Sequence, residues 1–164
     1  MTIFKVAVAQ AASHPSDAQA STAKAVDLIT QAHQAGASLL VFPEAFLGGY
    51  PKGASFGAPV GMRKPEGRQA YLDYFNNAID LNGPEVEAIA EATRSTGMFA
   101  VIGCIERELG TLYCTVLFFN GAQGLVGKHR KLMPTAGERL IWGFGDGSTM
   151  PVFDTPLGKI GAVI

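Results

Sequence analysis

Two patterns of hydrophobic positions follow one another along the first 42 residues. Residues 4–10 are a short apolar run that predicts a strand, and residues 38–42 are a continuous run without alternation, as expected of a strand that is buried on both faces. Between these runs, apolar residues recur at the spacing of one helix face, at Ala25, Leu28, Ile29 and Ala32. Strand, helix and strand in this order predict a β–α–β unit whose two strands are parallel.

Polar and glycine residues mark the predicted ends of this helix. Ser16 is predicted to cap its start, with Gln19 reaching back to the backbone as in a capping box. Gly36 ends the helix at a position that favours a left-handed backbone. These signals place the helix between residues 16 and 36.

Loop signals dominate residues 50–82, where only a short helix over residues 71–79 is predicted. A further helix is predicted to begin at Pro84, since proline suits the first helical turn, and to end at Gly97. Its core face is predicted at Val86, Ile89 and Ala90.

The second half of the chain predicts antiparallel strands. Three of them form a meander that extends the sheet, at residues 98–105, 111–120 and 125–128. A loop-rich segment, residues 130–149, precedes a last predicted strand pair, at residues 151–154 and 159–164. Because no repeat or linker interrupts this order, residues 1–164 are predicted to form a single domain.

Glu44 is the first candidate for chemistry. It follows the apolar run 38–42 and Pro43, which donates no backbone hydrogen bond and so ends the strand. Ligand sites in open α/β sheets collect beyond the carboxyl ends of strands, so Glu44 is placed where a site residue is expected. The alternative is an exposed carboxylate that only marks the strand end, and the residues alone favour neither interpretation.

Composition narrows the class of protein. The 164 residues are 48% hydrophobic and 16% charged, which describes a globular chain with a sizeable core. A net charge of −1 gives no bulk attraction to nucleic acid or to a membrane, and no apolar run approaches the length of a membrane span. Cys104 and Cys114 form neither a disulfide framework nor a metal-binding spacing, so we expect a cytoplasmic location and no metal.

Three blocks of the sequence resemble the nitrilase branch of the carbon–nitrogen hydrolase superfamily. The first matches that family's glutamate signature, at Gly36, Leu39, Leu40, Phe42, Glu44, Leu47, Gly49, Tyr50 and Pro51. The second runs from His129 to Thr135 and is similar to the segment that holds the catalytic lysine. The third comprises Glu138, Arg139 and residues 142–148, and it is typical of nitrilases rather than of the related amidases. The likeness extends from Lys5 onward.

The resemblance implies an α/β fold, an αββα sandwich with a mixed β-sheet and flanking helices, of which this chain is the N-terminal part. It also implies three catalytic residues: Glu44 as general base and then acid, Lys131 as stabiliser of the tetrahedral intermediates, and Glu138 as a carboxylate that orients Lys131 or a water. Burial at the strand end would make Glu44 a stronger base. From composition alone, Lys131 is a solvated charge and Glu138 an exposed partner of Arg139.

Glu44 and Lys131 would serve a cysteine nucleophile. Since residues 159–164 are predicted to be a core strand, a terminus at Ile164 would bury a charged carboxylate, and we expect the sequence to be cut there. The resemblance implies that the next residue is the nucleophile, and that residues 1–164 alone are inactive. Cys104 and Cys114 are predicted to be small core residues, and His129 a structural or surface residue.

The implied activity is that of a nitrilase, which hydrolyses an organic nitrile to a carboxylic acid and ammonia without a metal or organic cofactor. Tyr50 and Trp142 are expected to contact the substrate, although aromatic residues commonly belong to the core. The resemblance also implies homodimers that build spiral homo-oligomers, with residues 51–73 as a contact loop. An amidase or carbamoylase of the same superfamily and a non-catalytic assembly module are the alternatives; residues 142–148 argue against the first.

Overall fold

The computed structural model describes residues 3–59 and 61–164. A five-stranded sheet has the order β1-β2-β3-β4-β5, formed by Lys5–Val8, Ala37–Val41, Phe99–Glu108, Thr111–Asn120 and Gly124–Arg130. The first three strands are parallel, whereas β4 and β5 each run antiparallel to the strand before. The predicted mixed sheet is therefore confirmed, both in its parallel β–α–β start and in its antiparallel meander.

Two helices, α1 (Ala18–Gln34) and α3 (Pro84–Thr96), pack against one face of this sheet. The predicted helix faces are confirmed, with Leu28 only partly buried and the others buried at Ala25, Ile29, Ala32, Val86, Ile89 and Ala90. Gly36 and Gly97 follow the two helices with φ of 80° and 69°. Both glycines thus take the left-handed backbone that their positions predict.

The start of α1 differs from the prediction. Asp17 caps the helix instead of Ser16, because its Oδ1 accepts a hydrogen bond from the Ala20 N–H at 2.8 Å. Ser16 lies before the cap in a left-handed turn with φ of 52°. With the cap shifted by one residue, Gln19 is no longer at the position that a capping box requires.

The helix predicted at residues 71–79 has other bounds. Helix α2 runs from Pro65 to Asn76, so it begins six residues earlier and ends three residues earlier than predicted. Pro65 contributes to the loop-like composition of the segment, but it occupies the first helical turn, where the missing N–H costs nothing. The helix places Tyr74 beside the loop that contains Glu44.

A two-stranded ribbon covers part of the other face of the sheet. Strands β6 (Phe153–Thr155) and β7 (Gly158–Ile160) confirm the predicted pair, and Phe153, Leu157 and Ile160 pack on Phe99, Val101, Val116 and Phe118. The prediction of a core strand through Ile164 is wrong: the strand ends at Ile160, and Val163 is 72% exposed. Within the described residues β7 pairs with β6 alone, so it lacks the neighbours that bury a core strand.

The described residues therefore form three layers, helices on a five-stranded sheet on a two-stranded ribbon. Within residues 3–59 and 61–164, none of the helices has the length and apolar character needed to cross a membrane.

Candidate active site

Glu44 lies in a loop that continues along β3 after β2 has ended. The Phe42 N–H donates to the Val101 carbonyl at 2.8 Å, and the Leu47 N–H donates to the Gly103 carbonyl at 3.1 Å. Between these two anchors, Ala45 takes a left-handed φ of 53° and is buried. The turn therefore directs Ala45 into the core and leaves Glu44 at the edge of the sheet.

Lys131 follows β5 directly and is held by the backbone of its neighbours. Its N–H donates to the Cys114 carbonyl at 2.8 Å, and its own carbonyl accepts from the Gly145 N–H at 2.8 Å. The first of these bonds extends the pairing of β4 and β5 by one residue. The backbone of Lys131 is thus fixed relative to the sheet, and the side chain that carries the ammonium group extends from it.

The structure brings Glu44, Lys131 and Glu138 together. The Lys131 Nζ lies 2.8 Å from Glu44 Oε1 and 3.0 Å from Glu138 Oε2, so the ammonium bridges the two carboxylates. The Lys131 side chain is only 12% exposed. The interpretation of Lys131 as a solvated surface charge is therefore excluded by its burial and its two partners.

Burial makes the Lys131 ammonium less favourable, but the hydrogen bonds to Glu44 and Glu138 outweigh it and raise the pKa of Lys131. The group is therefore a permanent cation at neutral pH. A fixed cation of this kind can stabilise negative charge that develops on a reacting group.

Glu138 lies in a short 3₁₀ helix, Ala136–Leu140, and its carboxylate is nearly saturated with donors. Oε2 accepts from the Thr135 N–H at 2.6 Å, and Oε1 accepts from the Tyr50 hydroxyl at 2.9 Å. Burial opposes ionisation, but Thr135, Lys131 and Tyr50 together lower the pKa of Glu138 to about 2. Glu138 therefore stays ionised and is suited to hold Lys131 rather than to carry a proton.

Glu44 is less buried than predicted. Its side chain is 37% exposed, because the chain leaves the sheet at Pro43 before reaching it. Its Oε1 accepts from two groups, the Lys131 ammonium at 2.8 Å and the Cys114 thiol at 3.3 Å. Its environment is thus set by these contacts and not by an apolar pocket.

Tyr50 and Trp142 both lie beside this cluster, but in different settings. Tyr50 is partly exposed, bonds to Glu138, and lines a cavity of about 320 Å³ together with Pro51 and Thr135. Its pKa is raised, mainly by the hydrogen bond to Glu138. Trp142 is 2% exposed and packs edge-on against Tyr50, with ring centroids 5.6 Å apart. Contact of either ring with a substrate stays a prediction.

Trp142 and Tyr74 form the floor beneath Lys131. The Trp142 indole N–H donates to the Tyr74 hydroxyl at 3.2 Å, and that hydroxyl donates to the Gly49 carbonyl at 3.1 Å. Lys131 Nζ lies 5.7 Å from the centre of the Trp142 ring. No sequence signal indicates Tyr74, because it lies 68 positions from Trp142 in a helix that carries no motif.

The two cysteines and His129 are buried. Cys104 is fully buried in the core shared with α1 and α3, and Cys114 is 1% exposed. Burial raises the pKa of both thiols, so neither is a reactive thiolate. His129 is fully buried, with Nδ1 2.6 Å from the Thr149 carbonyl. Among the described residues, no group of three or more potential ligands is arranged to hold a metal ion.

Gly103 is a second residue that contacts the candidate site without belonging to a sequence motif. A Cβ built on it would lie 2.5 Å from the Pro43 carbonyl oxygen and 2.7 Å from Glu44 Cα. A glycine inside a strand is a signal of close backbone approach, and here the approaching segment is the loop that positions Glu44.

We expect Gly103→Ala to displace that loop. Because the clashing atoms belong to the backbone, the change should lower the free energy of unfolding by about 1–3 kcal/mol. Urea unfolding measures the effect. Gly110→Ala is the matched control, since nothing lies within 4 Å of its added Cβ. Equal behaviour of the two variants would contradict the proposed contact.

The fold and the site together define a class: an α/β protein in which a carboxylate and a buried ammonium meet beyond the strand ends. The model of the carbon-nitrogen hydrolase family matches residues 5–164. The chain belongs to this family.

Its relatives include a nitrilase of Bradyrhizobium diazoefficiens, 73% identical over 161 residues, which cover 98% of this chain and 50% of the relative. An aliphatic nitrilase of Sinorhizobium fredii is 55% identical over 164 residues, covering 100% of this chain and 53% of the relative. The chain thus spans about half the length of the curated relatives it matches. An amidase from Nesterenkonia sp. AN1 has the same fold, with a TM-score of 0.71 at 15% identity, covering 97% of this chain and 56% of the amidase.

Proposed function

We propose that the full protein is a nitrilase that hydrolyses an organic nitrile to a carboxylic acid and ammonia. The observation that supports this most directly is the Lys131 ammonium, 2.8 Å from Glu44 Oε1 and paired with Glu138. The identity to proteins named as nitrilases, 73% and 55%, favours a nitrile over other carbon–nitrogen substrates.

The nucleophile in this proposal is a cysteine that lies beyond Ile164. Neither cysteine of the described chain suits the role, since Cys104 faces α1 and α3 and Cys114 is a buried, protonated thiol. We therefore expect residues 1–164 alone to be inactive.

Glu44 acts as the proton carrier. It takes the proton of the attacking thiol as sulfur bonds to the nitrile carbon, and returns it to the nitrile nitrogen, which gives a thioimidate. A first water then adds to this carbon, Glu44 passes the two protons of this water to the nitrogen, ammonia leaves, and a thioester remains. A second water hydrolyses the thioester to the carboxylic acid and restores the thiol. One nitrile and two waters thus give one acid and one ammonia.

Lys131 stabilises the negative charge that develops at the substrate. Its cation is fixed before the reaction by Glu44 and Glu138, so no reorganisation is needed when charge appears. Glu138 acts through Lys131 and remains ionised throughout. Tyr50 contacts the substrate in this proposal, which is supported by its position in the wall of the cavity beside Glu138.

Two further proposals concern the whole protein. The segment of residues 51–73 is a contact loop through which homodimers form and build spiral homo-oligomers. The protein acts in the cytoplasm. Measurement of the native mass of the purified protein tests the proposed homo-oligomers.

The proposed activity is tested with paired substrates. The full natural protein is supplied with an aliphatic nitrile and, separately, with the corresponding amide, and ammonia, acid and amide are quantified. We expect acid and ammonia in equal amounts from the nitrile and much slower release from the amide. Faster turnover of the amide would support the amidase alternative, and no release from either substrate would support a non-catalytic module.

A further inference from the structure

Cys114 is in contact with both partners of the proposed acid–ammonium pair. Its Sγ lies 3.3 Å from Glu44 Oε1, and its backbone carbonyl accepts the Lys131 N–H at 2.8 Å. The residue is 1% exposed and packs with Ala45 and Trp142. It is therefore a fixed wall of the site and not a mobile surface thiol.

The contact with Glu44 is a hydrogen bond from the thiol to the carboxylate. Burial raises the pKa of the Cys114 thiol, and the charge of Glu44 raises it further. The sulfur thus keeps its proton at neutral pH. A carboxylate only accepts when ionised, so the S–H is the donor.

Glu44 Oε1 consequently accepts from two donors, the ammonium of Lys131, which follows β5, and the thiol of Cys114, which lies within β4. Within the part of the chain that the structure describes, Glu44 Oε2 receives no hydrogen bond. Two donors on one oxygen fix the plane of the carboxylate, which leaves the second oxygen for the proton transfer.

We propose that Cys114 is a positioning residue for Glu44: its thiol holds Oε1 so that Oε2 is the oxygen that accepts and returns the proton. The proposal rests on the proposed function, because it assigns Cys114 a part in the same reaction. It differs from a packing role, which the apolar neighbours of Cys114 would also support.

Three substitutions in the full natural protein separate donation from packing. Cys114→Ser keeps a hydrogen-bond donor but buries a more polar group. Cys114→Val keeps the apolar volume but removes the donor. Cys104→Val is the control, because it alters the other buried cysteine, on the opposite face of the sheet. We expect Cys114→Val to lower kcat for ammonia release roughly tenfold with little change in KM, since a hydrogen bond to a charged group is lost. Cys114→Ser and Cys104→Val should retain most of the wild-type kcat.

The opposite order contradicts the proposal. If Cys114→Val retains at least as much kcat as Cys114→Ser, with both proteins folded as judged by thermal unfolding, the residue acts by packing alone. If Cys114→Val and Cys114→Ser lower kcat equally, loss of the thiol hydrogen bond does not explain the effect, and the proposal is also contradicted.

A second measurement does not depend on activity. In infrared difference spectra, the S–H stretching band lost in Cys114→Ser should lie at a lower frequency than the band lost in Cys104→Ser. In Glu44→Gln the Cys114 band should move to higher frequency, because an amide oxygen is a weaker acceptor than a carboxylate. Identical bands for the two cysteines would overturn the hydrogen bond. A protein inactive on every substrate that still shows the shifted band would refute the proposed function while retaining the contact.

Discussion

Glu44→Gln in the full natural protein is expected to lower kcat for ammonia release by about 10²–10⁴-fold, the usual contribution of a general acid–base group. Glutamine has nearly the same shape, and its amide oxygen can still accept from the Lys131 ammonium, which lies 2.8 Å from Glu44 Oε1. It cannot take a proton from the attacking thiol. The loss should therefore appear in kcat, with KM changed little.

The control for this variant is Glu91→Gln, which makes the same chemical change on the exposed side of α3. Glu91 is 69% exposed and pairs with Arg94 at the surface, so we expect wild-type kcat. Thermal unfolding of both variants checks that they are folded. Undiminished turnover by Glu44→Gln would refute the role proposed for Glu44.

Much of the fold could be predicted because local signals and tertiary structure agree. The apolar run before Pro43 is β2, and the Pro84 and Gly97 signals mark both ends of α3. Where two signals compete, the sequence does not decide between them. Asp17 and Ser16 are both good capping residues, and Pro65 suits a loop as well as the first turn of α2.

Only those residues of the candidate site that belong to sequence motifs could be predicted. Glu44, Lys131 and Glu138 belong to segments with a family pattern, and the structure brings them together. Gly103 and Cys114 have no such pattern, because their importance comes from contacts with Glu44 across 59 and 70 positions. The predicted meander brings β4 beside β3, but both contacts also depend on the path that the loop after β2 takes along β3, and no local property of the residues indicates that path.

A buried ion cluster on the opposite face of the sheet likewise has no motif in the sequence. Glu106 is 1% exposed and accepts from Arg130 in a two-pronged arrangement, Nε at 2.9 Å and Nη2 at 2.6 Å. Lys128 Nζ at 2.5 Å and the Thr115 hydroxyl at 2.8 Å complete its shell. Since Arg130 immediately precedes Lys131, the cluster fixes the end of β5 from which Lys131 extends.

Glu106→Gln is therefore expected to destabilise the full natural protein by about 3–5 kcal/mol, since it leaves Lys128 without its carboxylate partner and Arg130 with the exposed Glu108 in place of a buried one. The Arg130 and Lys128 side chains are only 14% and 25% exposed, so water replaces the lost carboxylate poorly. Urea unfolding at pH 7 and fixed protein concentration measures the effect. Glu108→Gln is the matched control: Glu108 also pairs with Arg130, at 2.9 Å, but is 51% exposed, and we expect a loss below about 1 kcal/mol.

The effect of Glu106→Gln should also depend on pH. Burial works against ionisation of Glu106, but the hydrogen bonds from Arg130, Lys128 and Thr115 prevail and lower its pKa. A carboxyl whose pKa is lower in the folded state contributes its full stabilisation above the ordinary value, about 4.3, and loses it as the pH falls through the lower, folded-state value. The stability difference between wild type and Glu106→Gln should thus be constant near neutral pH and shrink in acid. A difference that grows in acid, or one no larger than that of Glu108→Gln at pH 7, would show that the cluster does not stabilise this end of the sheet.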